Sequence, residues 1–341
     1  TPILNSSNGL NRTNETLQGF NQSGSDLDND DIVFNYKWFK NNLLNATRWF
    51  NDNSSVLYMP FDNNHSFDNI TRDYALANDG TIYGNKTWNS TGKIGGDYEF
   101  DGVNDVITIL RDNSLNITQQ VTMSVWVNKG TPQTWNGIVY KGRGSTVNYY
   151  MGYNSGGYFF IGYRSGGTWN SFGTPNSFSA TNVWYHVVGK LSSTGNIEIY
   201  VDGVNQSWSI KSGSVIIADL PISADDLDIG LGNTGEWFNG SIDEVAIWNR
   251  SLSASEIKML YDGTKDGYAL LNENMTAKGD NWTIEFQPFD YETSGTALNS
   301  SVLTILNTPP THTTPILNSS NGLNRTNETL QGFNQSGSDL D

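Results

Sequence analysis

The sequence contains no cysteine and almost no histidine. The absence of cysteine excludes disulfide bonds, thiolate metal sites and cysteine nucleophiles together. The three histidines, at positions 65, 186 and 312, include no pair at the i, i+4 spacing of a helical zinc site. They also leave few candidates for the base of a Ser-His-Asp hydrolase.

Basic residues are scarce too. The chain has 19 Lys and Arg against 35 Asp and Glu in number, which gives a formal net charge of -16. Nucleic-acid recognition needs clustered positive charge, so nucleic acid is not expected as a partner. The chain has no run of eighteen apolar residues and begins at Thr1 without a signal-peptide pattern. We expect no transmembrane segment in this stretch, which we interpret as a mature portion or an excerpt.

The first 28 residues return unchanged at positions 314–341. Such self-similarity predicts a tandem array, of which slightly more than one 313-residue unit is present. The expected partners are copies of the unit, placed end to end either covalently or as separate subunits. An unpaired edge in the second copy could accept a strand from a neighbour.

Asparagine is the over-used residue. Of 43 Asn, 21 begin an Asn-X-Ser/Thr sequon in which X is not Pro. Ser and Thr form about 19% of the chain, so roughly eight sequons are expected by chance. The excess indicates dense N-glycosylation outside the cell, or a loop composition that creates sequons as a by-product. Candidate glycosylation sites are Asn5, Asn11, Asn14, Asn21, Asn45, Asn64, Asn69, Asn85, Asn89, Asn116, Asn205, Asn239, Asn249, Asn274, Asn299, Asn318, Asn324, Asn327 and Asn334.

The same composition bears on localisation. Eukaryotic secreted modules of this size usually carry disulfides. An acidic, sequon-rich chain without cysteine therefore favours an extracellular, cell-surface protein of a prokaryote, with an archaeal source as one option. Asn281 is a poorer acceptor if its side chain points inward.

Short segments of β-branched and aromatic residues are separated by Gly, Asn, Ser and Thr. This pattern predicts strands at 121–127, 148–154, 158–164, 184–191 and 197–203, and hence a β-sandwich. One helix is predicted at 251–263. Ser253 is its expected N-cap, Glu256 closes a capping box, and Gly263 is its expected end.

Several blocks between Val56 and Gly263 occur in the order of a known family. They include "VLYMPFD", "GGDYEFDGVNDVITI", "VWYHVVGKL", "IEIYVDGV" and "FNGSIDEVAIWNRSLSASEIKMLY". This stretch resembles the laminin G-like, concanavalin A-like jelly-roll family. The resemblance implies a two-sheet sandwich, a structural calcium ion near its rim, and surface glycans as a further possible partner.

The flanking segments resemble two halves of another domain. Residues 1–48 contain a Tyr-X-Trp strand after an Asp-rich turn, and residues 268–309 contain a Gly-Asp-X-Trp strand followed by Pro-Pro. Together they resemble one immunoglobulin-like domain of prokaryotic surface proteins. The expected fold is all-β, with a concanavalin A-like jelly-roll sandwich inserted in an immunoglobulin-like β-sandwich. Its expected parts are 1–48, 54–263, 264–309, and 310–341 as linker and start of the next repeat.

No catalytic group is expected. The hydrolases of the jelly-roll family carry Glu-X-Asp-X-Glu on one strand, and this pattern is absent. Asp243 and Glu244 are adjacent in a predicted strand, so we expect them on opposite faces. His186 lies in another predicted strand, where a structural role is expected.

Calcium is the one cofactor that the residue types allow. Asp26, Asp28 and Asp30 have the alternate spacing of the first part of a calcium loop. A solvated polar turn is the alternative interpretation. The jelly-roll resemblance implies a second candidate site formed by Asp101, Asp105 and Asp243. There the alternative is an Asp-Gly hairpin turn.

Four tryptophans lie in apparent loops rich in Gly, Ser and Asn: Trp135, Trp169, Trp208 and Trp237. An exposed ring in such a loop could stack on a sugar, and Trp135, Trp169 and Trp237 are the candidates for glycan binding. In contrast, Trp126, Trp184 and Trp248 occupy predicted strands and are expected in the core.

The self-repeat, the sequons and the absence of a catalytic group favour a structural role. The preferred hypothesis is a non-catalytic, heavily N-glycosylated repeat unit of an extracellular filament, stalk or adhesin. The alternative is a carbohydrate-binding module array of a secreted glycan-degrading protein. An active hydrolase is the least favoured hypothesis.

Overall fold

The computed structural model describes most of the chain, and the described residues are 1–22, 31–64, 68–85, 87–131, 133–214, 219–290, 293–309, 311–312, 316–319, 330–333 and 337–338. The calcium candidates Asp26, Asp28 and Asp30 lie outside the described residues. So do three of the candidate glycosylation sites, Asn324, Asn327 and Asn334.

Strands form most of the regular secondary structure of the described chain, which confirms the predicted all-β class. The first strands are β1 (Ile3–Ser6), β2 (Leu17–Phe20), β3 (Val33–Lys40), β4 (Leu43–Thr47), β5 (Ser55–Met59), β6 (Ile70–Thr71), β7 (Gly80–Tyr83), β8 (Thr87–Asn89), β9 (Asp97–Asp101) and β10 (Val106–Ile109). The middle strands are β11 (Gln120–Lys129), β12 (Trp135–Arg143), β13 (Thr146–Asn154), β14 (Phe159–Ser165), β15 (Thr168–Gly173), β16 (Trp184–Ser192), β17 (Glu198–Val201), β18 (Val204–Gln206), β19 (Ser209–Ser212), β20 (Leu227–Ile229) and β21 (Asn239–Trp248). The helix α1 (Ala254–Thr264) follows, and then β22 (Leu270–Leu271), β23 (Asn281–Phe289), β24 (Leu298–Asn299), β25 (Leu303–Thr304), β26 (Thr311–His312), β27 (Ile316–Ser319), β28 (Leu330–Phe333) and β29 (Gly337–Ser338).

Two large antiparallel sheets form the first sandwich. The nine-stranded sheet has the order β19-β15-β14-β13-β12-β20-β10-β7-β6. The eight-stranded sheet has the order β18-β17-β16-β11-β21-β9-β8, with β5 also paired to β21. Alternate residues point into the space between the sheets, as in β17, where Ile199 and Val201 enter the core while Tyr200 points to the other side. The predicted strands at 121–127 and 197–203 are thereby confirmed.

A second, smaller sandwich is formed by strands from both flanks of the first. In its five-stranded sheet, β3 pairs antiparallel with β23, with Trp38 opposite Ile284. Its three-stranded sheet has the order β1-β2-β22. Trp38 and Trp282 meet edge to face, with ring centroids 6.4 Å apart, in a core shared by the two sheets. The immunoglobulin-like classification of this sandwich and the domain boundaries given above stay predictions.

The two sandwiches meet at a buried arginine. Arg48 follows β4, and its side chain is 0% exposed. Its guanidinium forms ion pairs with Asp62 at 2.7 Å and with Glu244 of β21 at 2.5 Å, and it donates to the Phe34 carbonyl of β3 at 3.0 Å. Tyr58 of β5 also donates to Glu244, at 2.9 Å. One side chain therefore ties strands of both sandwiches together. We call Arg48, Asp62 and Glu244 the junction triad.

Burial and charge act against each other in the junction triad. Burial alone would lower the pKa of Arg48, but Asp62 and Glu244 outweigh it and raise that pKa well above its ordinary value. Burial also raises the pKa of Glu244 to about 7, against the opposing attraction of Arg48. The triad is therefore a site where the removal of one partner leaves a costly buried charge.

The helix confirms one prediction and corrects another. Ser253 caps α1 and forms the predicted capping box with Glu256. The helix does not end at Gly263 but continues to Thr264. A Cβ atom at Gly263 would overlap the backbone of Thr47. The carbonyl of Gly263 accepts a hydrogen bond from the Tyr36 hydroxyl at 3.0 Å. Gly263 is therefore the point where α1 approaches the second sandwich, not a terminator.

We expect Arg48→Met to lower the free energy of unfolding by about 3 to 5 kcal/mol, because two buried carboxylates lose their counter-charge. Urea unfolding followed by tryptophan fluorescence measures this change. The matched control is Arg48→Met with Glu244→Met, which replaces the tightest pair by apolar side chains and should restore most of the loss. Equal stability of the single and the double variant would contradict the role given to the triad.

Candidate functional site

The outward face of the nine-stranded sheet carries a second aromatic cluster, separate from the core. In β13, Tyr149 and Met151 point into the core, and Tyr150 between them points outward. Tyr140 of β12 and Phe160 of β14 lie on the same outward face. Two consecutive tyrosines in a strand must point to opposite sides, so the sequence already contained the signal for Tyr150.

A cleft of about 300 Å³ opens on this face. We call it the aromatic cleft. Its lining residues are Trp135, Tyr140, Tyr150, Trp169, Ser171, Ser212 and Glu236. It brings together two of the three predicted glycan-binding tryptophans, Trp135 and Trp169. The third, Trp237, does not line the cleft, although it follows Glu236 in the chain.

The placement of these tryptophans differs from the prediction in one respect. Trp135 begins β12 and Trp169 lies in β15, so neither is in a loop. Their strands were hidden by Gly, Asn and Ser, which are poor strand formers. Trp208 packs against the core, with its ring centroid 5.3 Å from that of Phe172. Trp208 is not among the residues that line the aromatic cleft. Trp126 and Trp248 are buried as predicted. The expectation of a core position is wrong for Trp184, which is only half-buried.

Tyr150 forms the floor of the aromatic cleft. Its ring lies across Gly162 of β14, where an added Cβ atom would come within 2.9 Å of the ring and of the hydroxyl. The hydroxyl shares a hydrogen bond with Ser171 of β15. Tyr140 stacks on Tyr150 with centroids 4.9 Å apart, and Trp169 meets Tyr150 edge to face at 5.3 Å. Gly162 thus lets an aromatic ring lie flat on the sheet.

The walls of the cleft differ in exposure and charge. Trp135 is 47% exposed and is braced by Phe160, at a centroid distance of 5.1 Å. The guanidinium of Arg164 lies 4.8 Å from the ring of Trp169. Glu236 is the one acidic residue among the lining residues, and its carboxylate accepts from the Thr234 backbone at 2.6 Å.

Tyr140 presents its hydroxyl in the lining of the aromatic cleft. The residue is only 8% exposed, yet none of the described residues forms a hydrogen bond with its hydroxyl. Burial raises the pKa of Tyr140 well above its ordinary value, and Tyr150 and Glu236 add to the shift. The hydroxyl therefore stays protonated and can both donate to and accept from a ligand.

The second calcium candidate is not assembled as expected. Asp101 accepts from the backbone of Val103 at 2.7 Å and of Asn104 at 3.2 Å, which is the pattern of a turn. Asp105 accepts from the backbone of Asp101 at 2.8 Å. Asp101 pairs with Asn239, four residues before Asp243 in β21. Within the described ranges, no group of three or more His, Asp or Glu could hold a metal ion. Calcium binding stays a prediction.

Asp243 serves the junction instead. It is fully buried and accepts from the backbone of Ile94 at 2.9 Å and of Glu244 at 2.7 Å. A bulge in β21 places Glu244 in a left-handed conformation, with φ of 54°. Strict alternation is therefore lost, and the expectation that Asp243 and Glu244 lie on opposite faces is wrong. Burial, followed by the Glu244 charge, raises the pKa of Asp243 well above its ordinary value.

The predicted glycosylation sites differ in exposure. The exposed ones are Asn5, Asn14, Asn64, Asn69, Asn85, Asn205, Asn249, Asn274 and Asn299, and Asn281 is exposed as well. The half-buried ones are Asn11, Asn21, Asn45, Asn89, Asn116 and Asn239. Among the latter, the amides of Asn89 and Asn239 donate to Asp97 and to the Asp101 carbonyl.

Comparison with known proteins supports the fold of the first sandwich. Residues 101–258 match the family model described as the concanavalin A-like lectin/glucanases superfamily. No protein of curated function matches the sequence. Among the described residues, no helix is long and apolar enough to cross a membrane.

Several solved structures resemble the chain at low identity. One is a botulinum neurotoxin type C, whose cell entry depends on two ganglioside molecules, with 13% identity and a TM-score of 0.48 over 62% of this chain and 51% of that chain. Another is the binding domain of Paraclostridial Mosquitocidal Protein 1, with 16% identity and a TM-score of 0.48 over 62% and 52%. A third is Trypanosoma rangeli sialidase, with 14% identity and a TM-score of 0.48 over 64% and 34%. The aligned part spans about half the length of the two toxin chains.

The two tyrosine hydroxyls of the cleft should respond differently to removal. Tyr150→Phe loses a buried hydrogen bond and should lower the free energy of unfolding by about 0.5 to 1.5 kcal/mol. Tyr140→Phe removes a hydroxyl that has no partner among the described residues, so it should leave stability unchanged or raise it. Urea unfolding of both variants measures the difference. A loss for Tyr140→Phe as large as that for Tyr150→Phe would show that the Tyr140 hydroxyl already has a structural role.

Proposed function

We propose that the first sandwich is a carbohydrate-binding module and that the aromatic cleft holds a neutral saccharide. The observation that carries this proposal is the pairing of Trp135 and Trp169 around a floor of Tyr140 and Tyr150 on an outward sheet face. Flat aromatic surfaces bury the C–H faces of sugar rings, and the hydroxyl of Tyr140 can bond a sugar hydroxyl. The lectin-like family of residues 101–258 is consistent with this role.

The charge of the cleft favours a neutral sugar. Glu236 is its one acidic lining residue, and the chain as a whole carries a formal charge of -16. Both features repel sialic and uronic acids. Arg164, beside Trp169, supplies an opposing positive charge, and two of its N–H groups already donate to the backbone carbonyls of Gly144 and Gly167.

We propose that the cleft binds a saccharide without hydrolysing it. Glycoside hydrolysis in its usual form needs two carboxyl groups facing the scissile bond. The lining of the cleft supplies only Glu236. Asp243 and Glu244 are committed to the interior at the junction, so they do not supply a second carboxyl group.

The structural repeat is the second candidate function, and one observation favours it. In β1 and β2, Ile3 lies opposite Phe20. In β27 and β28, 313 residues later, Ile316 lies opposite Phe333 in the same antiparallel register. The strand β26, just after the Pro-Pro sequence, pairs with β29. We propose an extracellular tandem array in which N-glycosylated small sandwiches form the thread and jelly rolls project from it.

Replacement of one cleft wall tests the binding function. Trp169→Ala should weaken binding to neutral oligosaccharides on a glycan array about tenfold or more, which corresponds to a loss of at least about 1.4 kcal/mol. The matched control is Tyr83→Ala, since Tyr83 is an exposed aromatic residue of β7 in the same sheet. Unchanged binding by Trp169→Ala, or an equal loss in both variants, would contradict the assignment of the cleft.

Electron microscopy of the native surface protein tests the array. We expect a thread of small sandwiches with projecting jelly rolls at regular intervals, because each unit continues into a hairpin of identical sequence and register. Isolated particles without linear order would contradict it. Peptide mass spectrometry of the same material tests the glycans, which should occupy exposed sites such as Asn5 and Asn14. Unmodified asparagine at these sites would remove the glycosylation part of the proposal.

A further inference from the structure

One long stretch of the chain has no sequon. Between Asn116 and Asn205 there are eight Asn, and none of them begins Asn-X-Ser/Thr, whereas 21 of the other 35 Asn do. An even spread of 21 sequons would place roughly five in these 88 residues. Asparagine is therefore present in this stretch, but none of it stands in a sequon.

The hydroxyl residues do not explain the gap either. The stretch contains 18 Ser and Thr, about the same share as in the whole chain. Asn154, Asn170 and Asn176 are each followed directly by Ser, but the position that would complete a sequon holds Gly or Phe. Sequons are absent here because no Asn is followed two positions later by Ser or Thr, and not because these residues are rare.

The sequon-free stretch builds two sheet regions, and only one of them is open. It contains β11 and β16, the central strands of the eight-stranded sheet, whose outer side packs on α1, as shown by the 6.0 Å centroid distance between Trp126 and Tyr261. It also contains β12, β13, β14 and β15, which carry the aromatic cleft on their outward side.

The other half of the same nine-stranded sheet does carry sequons. Asn69 immediately precedes β6 and Asn85 follows β7, and both are exposed. One part of the nine-stranded sheet is therefore flanked by sequons and another part is not. The aromatic cleft lies in the part without sequons. We call the outward surface of β12, β13, β14 and β15 the bare face.

We propose that the bare face docks a saccharide that is presented on a polymer or a surface, not a free small sugar. This inference rests on the carbohydrate-binding function and on the N-glycosylation proposed above. A free sugar that fits a cleft of about 300 Å³ could diffuse between attached glycans, so a bare cleft mouth would be enough for it. A polymer has to approach the whole face, and bulky attached glycans anywhere on the face would block it.

Two hairpin turns at the edge of the bare face allow a direct test. Gly166 and Gly167 form the β14–β15 turn with φ of 56° and 82°, and an added Cβ atom at Gly166 meets nothing within 4 Å. Asn-Gly is a favoured pair for such a turn. Gly166→Asn creates an Asn-Gly-Thr sequon at positions 166–168, and Asn tolerates a left-handed conformation better than most residues. Arg164 connects this turn to the ring of Trp169, so the new glycan would stand beside the cleft.

Gly166→Asn should be produced in a host that attaches N-glycans, with occupancy checked by mass spectrometry. Mannan, β-glucan and xylan serve as probes, each as a soluble hexasaccharide and as a polymer on beads. Among the probes that the unmodified protein binds, we expect polymer binding to fall about tenfold or more and hexasaccharide binding to stay within about twofold. Gly166→Asp, which has no sequon, should bind both forms normally. Glycan removal by an amidase leaves Asp at this position and should restore polymer binding.

Gly144→Asn gives an independent second site. It creates an Asn-Ser-Thr sequon at positions 144–146 in the neighbouring turn, where Gly144 has φ of 62° and an added Cβ atom meets nothing within 4 Å. Full polymer binding with both new sites glycosylated would overturn the inference, and so would an equal loss for hexasaccharide and polymer. If the unmodified protein bound none of the probes in either form, the carbohydrate-binding function itself would be contradicted.

Discussion

The arrangement of the molecule depends on the buried charge of Arg48. A guanidinium without water must be surrounded by carboxylates, and here they come from Asp62 and from Glu244 of the jelly roll. The backbone carbonyl of Phe34, in the small sandwich, takes a further hydrogen bond. A fully buried charge cannot exchange these partners for water at low cost. The contacts of Arg48 therefore hold the two sandwiches together in one arrangement.

This arrangement decides which outer sheet surface remains open for binding. The outer side of the eight-stranded sheet is covered by α1, where Gly263 allows contact with Thr47. The outward side of the nine-stranded sheet remains, and it carries aromatic side chains that a core would normally take up. Tyr140 presents its hydroxyl in the lining of the cleft, and Trp135 is half-exposed. The proposed saccharide would contact both.

Much of this could be predicted from the sequence, since alternation and turn residues specify the strands and the Ser253 capping box specifies the helix start. Trp135 and Trp169 were found by residue type, but their strands were not, because Gly and Ser neighbours mask strand propensity. Two features were beyond sequence reasoning. The bulge at Glu244 accompanies its ion pair with Arg48, which is distant in sequence. The position of the Tyr150 ring depends on Gly162 of a neighbouring strand.

The central claim is that the aromatic cleft, and not another recess, receives the ligand. A polar recess of about 420 Å³ at the rim, lined by Asp101, Asn128 and Asn239 among others, is the competing location. The measurement is an indole N–H NMR titration of the eleven tryptophans with a neutral hexasaccharide. We expect saturable shifts confined to Trp135 and Trp169. Unshifted signals from both, with saturable changes in the amides around the rim recess, would contradict it.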